Sequence, residues 1–155
     1  MPTSCADPLA HIEEEIEAVQ TLLLLTENER QTLLGIVDTD ELNRITAKKM
    51  ATVSRMSDLV HFRHASLSQQ GYHPDEDGMR DWLADFPAHS RRERWEFLLC
   101  ITHQIKAVNQ ANGQLIAKLL SQNQAILDVF GIATQGLGLY GSDGRPQGAR
   151  VGYLK

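Results

Sequence analysis

From Ser90 to Phe130 the chain contains no proline, and the run stops at Gly131. A continuous helix over those residues, about 40 of them at 1.5 Å each, is a rod of roughly 60 Å. Ser90 and Glu93 are spaced as a capping box at its start. Leu98, Thr102, Ile105, Asn109, Asn112, Ile116, Leu119, Asn123, Ile126 and Phe130 recur at steps of three and four. That spacing is a seven-residue repeat, the pattern of a seam for partner helices. Phe97, Ile101, Val108 and Leu115 form a second stripe beside it, so the helix is expected to pack on two neighbours.

Two further long helices supply those neighbours. The first is expected to open with Asp7 as N-cap and Pro8 at the first helical position. It carries Leu9, Ile12, Ile16, Val19 and Leu23 on one stripe and ends at Gly35. The second opens at Asp38 with Glu41 in capping-box spacing, carries Leu42, Ile45, Val53, Met56, Val60 and Leu67, and ends at Gly71. Between Pro74 and Pro87 an acidic stretch suits a short helix that tucks Trp82, Leu83 and Phe86 onto the rest. Residues 131–155 hold seven of the eleven glycines, and Ser142 to Pro146 reads as a turn. Short gaps between long helices make neighbours antiparallel. The expected fold is all-α: an elongated antiparallel bundle of three long helices over 1–131, with a short connecting helix, and a glycine-rich tail over 132–155.

Charge and composition exclude several functions. The net charge of -5 over 155 residues opposes nucleic-acid binding. The unbroken apolar runs, Leu22 to Leu25 among them, are far too short to cross a bilayer. Residues 1–7 have neither a basic start nor an apolar core, so no secretory signal is expected. Cys5 and Cys100 make no disulfide framework, which suits a reducing compartment. Glu13-Glu14-Glu15-Ile16-Glu17 reads as a solvated face near a helix N-terminus.

No constellation for catalysis stands out. The glycines at 136–144 lack the preceding strand and following helix of a phosphate cradle, and there is no Glu-x-x-His for a di-metal bundle. His61 and His64 share a helix face without a third ligand beside both, and His103 follows Cys100 by three residues in a position expected to be buried. The chain is therefore read as having no catalytic residues, no cofactor and no metal.

Binding is the better reading. Asn109, Asn112 and Asn123 lie in the seam, where they either fix register within the bundle or mark a seam left open for another chain. Gly113 costs the helix about 1 kcal/mol relative to alanine and suits either close packing or a bend. Ile116, Leu119, Leu120, Ile126, Leu127, Val129 and Phe130 exceed one stripe, and the end of the third helix is expected to overhang its shorter neighbours.

The segments Val108-Asn109-Gln110-Ala111-Asn112-Gly113-Gln114-Leu115-Ile116, Leu119-Leu120, Ala125-Ile126-Leu127, Leu139-Tyr140-Gly141 and Asp143-Gly144 resemble the C-terminal half of FlgN-type flagellar export chaperones. The acidic first helix with Leu22 to Leu25 is similar too. The resemblance implies a cytoplasmic, non-catalytic helical protein that holds hook–filament junction proteins by their C-terminal helices and delivers them to the flagellar type III export gate. It implies a partner-binding surface of Asn112, Ile116, Leu119, Leu120, Asn123, Ile126, Leu127 and Phe130, and docking to the gate through Tyr140. No membrane insertion is implied. The alternative is a helical scaffold that self-associates through the same seam.

Overall fold

The computed structural model describes residues 6–129, all of whose regular structure is helical. The elements are α1 (Ile12–Leu34), α2 (Thr39–Gln69), α3 (Glu76–Asp85) and α4 (His89–Val129). The all-α reading with three long helices and a short connecting one therefore holds. The chain divides into two compact units, Met1–Leu115 and Ile116–Lys155, so the division falls inside α4. The boundary expected at 131/132 lies outside the described residues.

Helix ends follow local chemistry, with two shifts from the sequence reading. Asp7 accepts the Leu9 N–H at 2.8 Å and so caps a turn, after which regular α-helix starts at Ile12. Asp38 caps α2, accepting from the amides of Asp40 and Glu41. α2 ends in a Schellman motif: the Tyr72 amide donates to the Leu67 carbonyl, the Gly71 amide to that of Ser68, and Gly71 takes φ +85°. α4 begins at His89, since the Arg92 amide donates to the Ala88 carbonyl. Ser90 is thus inside the helix and does not cap it, because helical bonding has already started before its hydroxyl.

Within the first unit, side-chain pairs fix the directions. Glu15 meets Arg63 and Glu29 meets Lys49, so α1 and α2 run antiparallel. Asp7 meets Arg91, Glu13 meets Arg94 and Thr26 meets Asn112, so α4 up to Leu115 runs parallel to α1. The core gathers where the start of α1, the end of α2, α3 and the start of α4 converge. Leu9, Ile12, Ile16, Val19, Leu67, Met79, Trp82, Leu83, Trp95, Leu98 and Ile101 form one buried cluster there. The inward line of α4 runs Leu98, Ile101, Ile105, Val108, Asn112, Leu115, of which Ile105, Val108 and Leu115 are half-buried and the others buried. Thr102 and Asn109 are exposed. The inward face therefore lies between the two stripes read from sequence, taking Leu98, Ile105 and Asn112 from the seam and Ile101, Val108 and Leu115 from the stripe beside it.

α3 is packed rather than loose. Met79 and Trp82 are buried, and the indole Nε1–H donates to Gln70 Oε1 at 3.0 Å, while Phe86 remains exposed. Asp75 caps α3 by accepting the Gly78 amide, which holds its carboxyl below the ordinary value. A Cβ at position 78 would collide with the backbone of His73, so this position requires glycine. Gly78→Ala is expected to destabilise the protein by about 1–3 kcal/mol, measurable by urea unfolding.

Candidate functional site

Helical geometry puts Ile116, Leu119, Leu120, Asn123, Ile126 and Leu127 within an arc of about 120°. All lie on α4 within the second compact unit. Ile116 is 41% exposed, Leu120 65% and Ile126 54%; Asn123 is exposed, and Leu119 and Leu127 are half-buried. Large apolar side chains concentrated on one open helix face are the chemistry of a helix-in-groove or helix–helix contact. Phe130 and Tyr140 lie outside the described residues.

Asn112 does not belong with that surface. It is 2% exposed, and its Nδ2 donates to the Thr26 carbonyl at 2.9 Å and to Glu29 Oε2 at 2.8 Å. Lys49 Nζ donates to the same Glu29 oxygen at 2.8 Å and to Asn109 Oδ1 at 3.2 Å. The result is a polar layer joining α1, α2 and α4 inside the first unit, and Asn112 serves register there. Its Oδ1 is buried with no hydrogen-bond partner. An unmatched buried acceptor of this kind costs about 1–3 kcal/mol.

The acidic start of α1 is likewise not a plain solvated face. Glu15 is buried and accepts from Arg63 Nη1 at 2.8 Å, and the Arg63 guanidinium lies 4.8 Å from the Trp95 ring centroid. Burial pushes the Glu15 carboxyl up and the Arg63 guanidinium down, and in each the partner's charge opposes the shift without reversing it. Glu13, Glu14 and Glu17 do remain exposed, where Glu13 pairs with Arg94 and Glu17 with Arg55.

Val53, read from sequence as part of the inward stripe of α2, is 51% exposed beside Met50 at 70%. With Glu29, Thr46, Lys49 and Ser54 these line an open, mainly apolar groove. The Gly35–Val37 turn between α1 and α2 adds an almost fully exposed Ile36. Val53 stands at the edge of the α2 stripe, about 80° around the helix from buried Ile45, and Ile36 precedes α2 and lies on no stripe, so periodicity alone marks neither as exposed.

Among the described residues no group of three or more metal-ligating side chains comes together. The His61 ring is bonded to the Ser57 carbonyl at 2.7 Å. Cys100 and His103 are both exposed, so the expected burial of His103 does not occur: the inward face of α4 there is supplied by Leu98 and Ile101. No helix among the described residues is long and apolar enough to cross a membrane.

A family model described as FlgN protein matches residues 1–148. The chain belongs to the FlgN family. No curated protein and no solved structure matches it. FlgN proteins are flagellar export chaperones that bind flagellar proteins, a family of chaperones rather than of enzymes. Membership gives the open face of α4 a context: it lies in a chain whose family binds flagellar proteins.

Proposed function

We infer that this FlgN-family chain is a cytoplasmic chaperone for hook–filament junction proteins. It captures their C-terminal helices on the outer part of α4 and delivers them to the flagellar type III export gate. The observation that carries the reading is the exposure of Ile116, Leu120 and Ile126 on one helix face. Leu119, Asn123, Leu127 and Phe130 complete the surface. The apolar members supply contact area, and Asn123 supplies a polar group that sets register. A junction protein awaiting assembly presents apolar helical surface; covering it with a matching stripe prevents aggregation and needs no chemical step.

Tyr140 is assigned to the gate rather than to the client. Tyr140→Ala is therefore expected to leave co-elution of a purified junction protein with the chaperone unchanged on size exclusion. Export of that client in cells falls severalfold. Loss of co-elution in this variant instead places Tyr140 in the client site. Sedimentation separates the chaperone from a self-associating scaffold. The chaperone forms a defined heterocomplex with the junction protein, whereas the scaffold is a stable homodimer that ignores it.

A further inference from the structure

We propose that α4 hinges at Asn112–Gly113, with the Asn112 side chain as the latch that holds the helix to α1. Three observations meet there. Gly113 is exposed and a Cβ placed on it meets nothing within 4 Å, so packing in the protomer gives no reason for glycine. Tight packing within the protomer is thereby removed as the reason for this glycine. Glycine inside a helix weakens that turn relative to alanine, and it is one of the residues at which helices kink. Beside it, Asn112 is tied to the Thr26 carbonyl and Glu29, yet its own Oδ1 has no partner. Finally, the compact units divide at Leu115 and Ile116, immediately beyond.

The physics makes the latch nearly balanced. Closing it satisfies the Nδ2 group twice but leaves a carbonyl oxygen without a donor. Opening it loses those two bonds and offers all the amide's groups to water. A contact with gains and losses so evenly matched opens at low cost, and the glycine turn next to it absorbs the resulting change in backbone angle. Resting on the client site proposed above, opening there lets the residues of α4 after Gly113 adjust to a partner helix while the buried cluster around Leu98 and Ile101 keeps its packing. The site fixes what is bound; the hinge fixes how the binding face is presented.

Hydrogen exchange on the full-length protein without any client tests the hinge separately from the client reading. Amides of residues 113–117 are expected to exchange at least about tenfold faster than those of residues 98–105, which lie in the packed part of α4. Gly113→Ala slows exchange of residues 113–117 by about fivefold, the equilibrium equivalent of the glycine–alanine difference in a helix. Asn112→Ala speeds exchange over residues 109–117 by about tenfold while leaving residues 95–101 unchanged. Uniform protection from residue 98 through 119 in the wild type overturns the hinge. So does a Gly113→Ala variant whose local rates are unchanged or faster. An Asn112→Ala effect spread evenly into residues 95–101 overturns the latch.

Discussion

Arg63→Met is expected to lower stability by about 3–5 kcal/mol, because it leaves the Glu15 carboxylate buried without its partner. For a chain of this size that is a fall of roughly 10 °C in Tm, readable by calorimetry. The side chains of Glu15 and Arg63 are 5% and 9% exposed, so water cannot substitute for the lost guanidinium. The variant also leaves Trp95 without the cation against its ring. Glu15→Met combined with Arg63→Met is expected to recover most of the loss, since two apolar side chains leave no unmatched charge. The pH dependence has a definite sign. Burial already holds the Glu15 carboxyl above its ordinary value of 4.5 with Arg63 present, and removing Arg63 raises it further. The folded state then binds the proton more tightly than the unfolded chain. This group's contribution to stability therefore rises as pH falls through the folded pKa and levels off below the unfolded one. The single variant should accordingly regain part of its deficit on acidification from neutral pH, relative to wild type. A deficit that stays constant or grows would show that the carboxylate is not the origin of the effect.

Leu120→Ala with Ile126→Ala is expected to weaken binding of a purified junction protein on the order of 100-fold, each truncation removing about 1–2 kcal/mol at the centre of the contact. Both side chains are more than half exposed, so the fold does not depend on them. Alanine is the best helix former, so far-ultraviolet circular dichroism should stay at wild-type amplitude. Isothermal titration calorimetry reads the affinity. Undiminished binding would remove these residues from the client surface. Wild-type affinity with altered dichroism would in addition show that they have a structural role.

The architecture was legible because it is written in local signals. Asp38 and Gly71 mark the ends of α2 by capping chemistry that involves only their neighbours. The 3.6-residue period of Ile12, Ile16 and Val19 marks the inward face of α1, and all three are buried. The exposed apolar end of α4 was legible for a similar reason. It follows from the surplus of apolar residues after Ile116 together with the greater length of α4. What could not be read depends on partners distant in sequence. Glu15 looks like its exposed neighbours Glu14 and Glu17 until Arg63 is brought against it by the antiparallel turn of α2. Asn112 was compatible with an open or a closed seam. The decision lies with Thr26 and Glu29 on another helix. The inward face of α4 falls between two adjacent apolar stripes, because both fit the same period and the neighbouring helices cover the strip they share. Leu98 of one stripe and Ile101 of the other are buried in the same cluster, which periodicity alone does not fix.

The central claim is that the client occupies the outer face of α4 and not the open groove around Met50 and Val53. Hydrogen exchange of the full-length protein, with and without saturating junction protein, measures this directly. The account predicts slowed exchange over residues 116–127, with residues 46–54 around Met50 and Val53 unchanged. Slowed exchange confined to residues 46–54 and the Ile36 turn, with residues 116–127 exchanging as in the free protein, would contradict it.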